Sequence, residues 1–227
     1  MGEEQINARK IQTPLFMDHV KNMEEDGGKP AALPAVTSYA VVGETRWIRL
    51  LELKYIDEQQ KERTWNMAQR TTKTASKDAV DAVAILAILK GGKGDPRTII
   101  VRQFRPPLDA YTIEFPAGLI DKGETYAEAA LRELKEETGY VGVVKSISPP
   151  CNMSPGLSDE KVCLVEVEID MDDAANQNPK TNFDDGEFVE TLVVEIKTLG
   201  EKLQKLSDAG DSVCAVVWSL CMGLTMR

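Results

Sequence analysis

The chain has one histidine, His19, in 227 residues. It lies in a polar N-terminal stretch, so an imidazole acid or base is not expected, and proton transfer falls to carboxylates, lysines or water activated by a metal. Cysteine is scarce as well. Cys151, Cys163, Cys214 and Cys221 form no C-x-x-C pair, and reduced, partly buried thiols in the cytosol are the expected state. No uninterrupted apolar run is long enough for a membrane span, so no membrane partner is expected. The opening MGEEQINARK is too acidic and polar for a secretory signal or a transit peptide. Ile6 stands where the myristoylation pattern requires Ser or Thr. The expected compartment is the cytoplasm, with the nucleus left open. Basic residues are outnumbered, 27 against 37, which gives a net charge of −10. That balance argues against a nucleic-acid backbone as the main partner. An anionic substrate would need a metal and a few placed arginines.

What the chain does contain is concentrated between Gly118 and Tyr140, GLIDKGETYAEAALRELKEETGY. Thr125 followed by Glu128 is a capping-box signature, and Gly139 is a left-handed stop, which predicts a helix over 126–138. At helical spacing Ala127, Ala130, Leu131 and Leu134 form an apolar stripe, and the carboxylates of Glu133, Glu136 and Glu137 point roughly 120° away from it. Like charges three and four residues apart repel, so a cation is expected among them. A hard divalent ion with oxygen ligands, Mg²⁺ or alternatively Mn²⁺, suits three carboxylates and usually links them to substrate phosphates.

These residues resemble the box of the Nudix hydrolases. Its Gly, Glu, Arg-Glu-aliphatic-x-Glu-Glu-x-Gly and final apolar residue correspond to Gly118, Glu124, Arg132, Glu133, Leu134, Glu136, Glu137, Gly139 and Tyr140. With average residue frequencies a chance match is on the order of one in ten million. A solvated acidic helix face explains the charge and not the spacing.

The N-terminal residues 1–38 mix charge, Gly27-Gly28 and three prolines without a sustained period, and read as a mobile arm. Residues 39–76 form a β-rich section, with strands expected at 47–55 and 63–71 around the polar IDEQQKE. Residues 77–227 then read as the hydrolase domain. Its strands are expected in VDAVAILAIL and RTIIVRQF and at about 140–148, 161–169 and 187–196, with helices near 198–207 and 211–224. Strands alternating with helices that cover both sheet faces imply a three-layer α/β/α sandwich around a mixed sheet, the architecture the Nudix resemblance also implies.

Beyond the box, residues 44–220 are similar to the ADP-ribose and ADP-sugar pyrophosphatase subfamily. VRQFRPPLDAYTIEFPAGLIDKGE resembles that subfamily's lead-in to the box. Pro155 in SPGLSDE, fifteen residues past Tyr140, matches its characteristic proline. The front section with Trp47 and Trp65 resembles a dimerising N-terminal domain. The resemblance implies hydrolysis of the diphosphate of ADP-ribose, and of other ADP-sugars, to AMP and a sugar phosphate. It also implies a homodimer with N-terminal domain exchange, in which Trp47 and Trp65 of different subunits sandwich adenine. As ordinary strand residues the two tryptophans would need no such explanation.

The same resemblance assigns the remaining roles. Glu133, Glu136 and Glu137 with the carbonyl of Ala117 hold metal, and Arg70 and Arg105 hold phosphates. Glu114 and Leu119 lie on the substrate side. Gly118, Glu124 and Gly139 shape the box, and Arg132 orients it through Glu124. Glu187 in DDGEFVE supplies the catalytic carboxylate from a loop read as a lid, with Asp184 and Asp185 as competitors. Asn66 departs from the pattern, standing where some relatives carry a base-contacting glutamate, so strictness for adenine stays open. Rival readings are hydrolysis of another nucleoside diphosphate derivative such as 8-oxo-dGDP, and a non-catalytic nucleotide-binding module. An isomerase on the same fold would need a catalytic histidine, which His19 in its tail does not supply.

Overall fold

The computed structural model describes residues 33–73, 79–91, 94–183, 186 and 188–225. The chain divides into two compact units, Met1–Ala79 with Asn152–Glu160, and Val80–Cys151 with Lys161–Arg227.

In the first unit β1 (Ala35–Glu44), β2 (Ile48–Ile56) and β3 (Glu62–Arg70) form an antiparallel sheet in that order. The β2–β3 turn follows from Asp57, whose Oδ1 accepts the N–H groups of Gln59 and Lys61, both at 2.9 Å, while Oδ2 accepts Arg63 Nε. β1 was not expected. It begins inside the stretch read as an arm, directly after Pro34, where a proline removes no ladder hydrogen bond.

The second unit is built on a mixed sheet. β4 (Ala82–Lys90) runs parallel to β10 (Lys161–Asp170), which carries β8 (Val143–Ile147) antiparallel on its other side. β5 (Arg97–Arg105) pairs with the end of β4, with β6 (Ala110–Glu114) and with β11 (Val189–Glu195). β7 (Ala117–Leu119) lies against the start of β4, and β12 (Ser212–Val213) lies parallel to β6. The short strand β9 (Cys151–Asn152) marks the change of unit.

Three helices cover the sheet: α1 (Tyr126–Thr138), α2 (Leu199–Asp208) and α3 (Ala215–Thr225). Alternate residues of β4 explain the layering. Val83, Ile85, Ala87 and Leu89 are buried with Ala129, Ala130 and Leu134 of α1. Leu86 instead joins the cluster of Ile100, Ile113 and Phe115 with Leu199 and Leu203 of α2 and Val217 of α3. The result is the expected α/β/α sandwich.

The packed face of α1 is turned from the expected stripe. Ala129, Ala130, Leu134, Glu137 and Thr138 are buried, whereas Ala127 and Leu131 are only half-buried. Burying Glu137 is tolerated because its carboxylate has a backbone donor.

Candidate active site

The local signals of α1 are realised in full. Thr125 Oγ1 accepts the N–H of Glu128 at 3.2 Å, and Glu128 Oε2 accepts the N–H of Thr125 at 2.8 Å. Gly139 closes the helix at φ 76°. A Cβ there would stand 2.3 Å from the backbone nitrogen of Lys180, so two independent constraints call for glycine.

β7 faces the carboxylate-bearing side of this helix. The N–H of Ala117 donates to Glu137 Oε2 at 3.1 Å. A Cβ on Gly118 would come within 2.0 Å of the Glu133 carboxylate. Glu133 and Glu137, one turn apart, therefore both abut the short strand. The expectation that all three carboxylates point away from the packed face is corrected here: Glu137 is 5 % exposed.

One cation set among these carboxylates is Arg132. Nε and Nη2 bind Glu124 in a bidentate pair, each at 2.9 Å, and Nη1 donates to Glu133 at 2.8 Å and to Glu136 at 3.1 Å. Nη2 also donates to the carbonyl of Leu119 at 3.0 Å. All five guanidinium N–H groups are engaged, which suits Arg132 to shaping the site. The hydrogen bond to Glu124 above all, and the pairing with Glu133, raise the Arg132 pKa against the opposing effect of burial. Glu124 is held below the usual carboxylate range by the same guanidinium, aided by the N–H of Asp121.

Arg105 and Glu114 make a second bidentate pair, Nε to Oε1 at 2.7 Å and Nη2 to Oε2 at 2.8 Å. Thr112 Oγ1 donates to the same carboxylate at 2.5 Å. Burial is the largest single influence on Glu114 and pushes its pKa up. The hydrogen bonds from Arg105 and Thr112, with the Arg105 charge, outweigh it and leave the group lowered. Thr112, buried in β6, had no signal in the sequence beyond its place in YTIE.

The polar stretch read as a mobile lid is tied down over its described part. Asn176, 2 % exposed, bonds the N–H and carbonyl of Val141 and the carbonyl of Asp170. The N–H of Asn182 donates to the carbonyl of Glu136 at 2.8 Å. Thr191 Oγ1 donates to the carbonyl of Glu137 at 3.2 Å. Two orphan carbonyls at the end of α1 are thereby satisfied, on two of the residues whose carboxylates belong to the box. Glu187, Asp184 and Asp185 lie outside the described residues.

The other expected substrate residues belong to the first unit. Trp47 is 58 % exposed, with the Arg46 guanidinium 4.3 Å from its ring centroid. Trp65 is 50 % exposed and donates its indole N–H to the carbonyl of Gly156 at 3.1 Å. Arg70 Nε and Nη2 both bind Glu160 Oε1, at 2.7 and 2.6 Å.

The donor set of the box fits a hard divalent cation, because it is all oxygen and its four glutamates outnumber the single Arg132. Among the described residues no three His, Cys, Asp or Glu side chains converge in a metal-holding arrangement. Arg132 and the N–H of Ala117 engage these carboxylates.

The model of the NUDIX domain family matches residues 80–213. This chain belongs to the Nudix family. Its Nudix box and the front sheet both fall within the match to the ADP-ribose pyrophosphatase of Saccharomyces cerevisiae, 41% identical over 97% of this chain and 93% of the relative. The ADP-sugar pyrophosphatase of Mus musculus is 41% identical over 75% of this chain and 78% of its own length. A crystal structure of an ADP compounds hydrolase shares the Nudix fold, with TM-score 0.57 at 19% identity over 78% of this chain and 86% of that one. Nudix hydrolases generally need a divalent metal, in keeping with the oxygen donors of the box. Among the described residues no helix is long and apolar enough to cross a membrane.

Proposed function

We propose that this Nudix enzyme hydrolyses the diphosphate of ADP-ribose, and of other ADP-sugars, to AMP and the corresponding sugar phosphate in a Mg²⁺-dependent reaction. The observation that carries this reading is the 41% identity to an ADP-ribose pyrophosphatase across 97% of the chain, front sheet and box together.

Glu133, Glu136, Glu137 and the carbonyl of Ala117 would hold the ion, which when bound neutralises diphosphate charge and acidifies water. Glu187 takes the proton of the attacking water as its oxygen bonds to one phosphorus and the bridging P–O bond breaks. Arg105, oriented by Glu114, and Arg70, oriented by Glu160, bring positive charge to the phosphate oxygens, and Glu114 and Leu119 line the sugar side. Arg132 orients the carboxylates without touching substrate, since its donors are already used.

A homodimer completes the adenine site in this reading. Trp65 pairs across the sheet with Leu53, and Leu53 is six residues along the chain from Trp47. At the rise of a β-strand that sets their backbones about 20 Å apart within one chain, a spacing that disfavours a sandwich around one base. A second copy, exchanging its front sheet, would bring the partner ring to the site.

The test is a product assay in Mg²⁺ offering ADP-ribose, ADP-glucose, 8-oxo-dGDP and diadenosine polyphosphates side by side. ADP-ribose or another ADP-sugar should be turned over with the highest kcat/KM. Preference for 8-oxo-dGDP or for a dinucleoside polyphosphate would overturn the assignment.

A further inference from the structure

Residues 154–160, SPGLSDE, fold along β3 in the first unit, although about ninety positions separate them in sequence. The contacts climb the strand in order. Trp65 Nε1 reaches the carbonyl of Gly156, the N–H of Ala68 donates to the carbonyl of Leu157 at 2.9 Å, and Ala68 forms a parallel bridge with Ser158. Gln69 Nε2 donates to Asp159 Oδ2 at 2.7 Å, and Arg70 pairs with Glu160. Lys73, its side chain 4 % exposed, donates to the carbonyl of Asp159 at 2.6 Å. These seven residues thus form a strap that touches both Trp65 and Arg70.

We propose that this strap is a nucleotide-positioning element in which Glu160 is the positioning residue for Arg70. The inference rests on the reading of Arg70 as a phosphate ligand. Arg70 closes β3 with 45 % of its side chain exposed, where a long side chain is otherwise free to sample many rotamers. Glu160 Oε1 engages Nε and Nη2, which orients the guanidinium plane and leaves the Nη1 edge for phosphate oxygens. The carbonyl of Gly156 does the equivalent for Trp65: with its one polar donor satisfied, the indole offers its faces for stacking. The strap thereby couples the stacking ring to the phosphate-binding fork, and gives the segment around Pro155 a physical role of its own.

The experiment is a double-mutant cycle read in KM and kcat for ADP-ribose, with thermal unfolding of each variant. Glu160→Gln should raise KM roughly three- to tenfold, the range of a charge-assisted hydrogen bond at a partly exposed site, and leave kcat within about twofold. In an Arg70→Ala background it should add nothing, and Glu160→Asp should restore part of the loss. Should Glu160→Gln fail to fold, Glu160→Asp with and without Arg70→Ala carries the same comparison. Multiplying effects in the double variant, or a lower KM in Glu160→Gln, would overturn the proposal while leaving Arg70 as a phosphate ligand. An unchanged KM in Arg70→Ala would overturn the phosphate role and the proposal together.

Discussion

Glu137, only 5 % exposed, accepts the backbone N–H of Ala117 on its carboxylate at 3.1 Å. Strand β7 and helix α1 are thus joined through a group that the proposed chemistry assigns to the metal, so in that proposal one residue serves both fold and catalysis. Glutamine keeps an acceptor for that N–H and removes the charge. Glu133→Gln and Glu137→Gln should each lower kcat by about a hundredfold or more, with far-ultraviolet circular dichroism unchanged. Near wild-type turnover of ADP-ribose by either variant would remove these residues from the mechanism.

Gly118 offers a way to move Glu133 without changing its charge. An added Cβ would meet the end of the Glu133 side chain at 2.0 Å. A side-chain end can swing aside where backbone cannot, so Gly118→Ala should fold and yet displace the carboxylate. The expected result is at least a tenfold loss of kcat with an unfolding temperature close to wild type. A fully active Gly118→Ala enzyme would show that the position of Glu133 is not critical.

How much of this could be read from the sequence depended on the range of the interactions. Helix α1 was legible to the residue because Thr125, Glu128 and Gly139 act within one or two turns. Which face it buries was less so, since Glu137 is admitted to the interior by Ala117, twenty positions away. The Arg132 network combines local pairs with the carbonyl of Leu119, and the role expected through Glu124 corresponds to a direct pair. The strap left almost no signal. Its bonds join segments about ninety residues apart, and the terminal Asp159 and Glu160 of SPGLSDE look like ordinary surface charge until β3 lies beside them. β1 was hidden by Pro34, which breaks a strand only when it lies inside one.

The Arg105–Glu114 pair makes a pH signature. Glu114 is lowered from an ordinary value of 4.5, so the stability it contributes is present above that value and is lost as pH falls through the lower folded value. Wild type should exceed Glu114→Gln in urea-unfolding free energy by on the order of 1 kcal/mol near neutrality. The two should converge as pH falls below 4.5 and through the lower folded value, where the carboxylate becomes protonated in both states. A difference that stays constant across this range would mean that the pair does not stabilise the ionised form.

Glu187 carries the assignment that stands furthest from the box. Glu187→Gln should lower kcat by about 10²- to 10⁴-fold, the usual contribution of a positioned acid–base group, with KM little changed. Asp184→Asn and Asp185→Asn should be mild by comparison. If Asp185→Asn is the more damaging substitution, the base belongs two positions earlier in the chain.

The most direct measurement is the balance of products formed from ADP-ribose. With Mg²⁺, the wild-type chain should release AMP and ribose 5-phosphate in equal amounts. Excess EDTA should stop the reaction and added Mg²⁺ should restore it. Release of ADP and free ribose, or undiminished turnover in EDTA, would contradict a metal-dependent cleavage of the diphosphate.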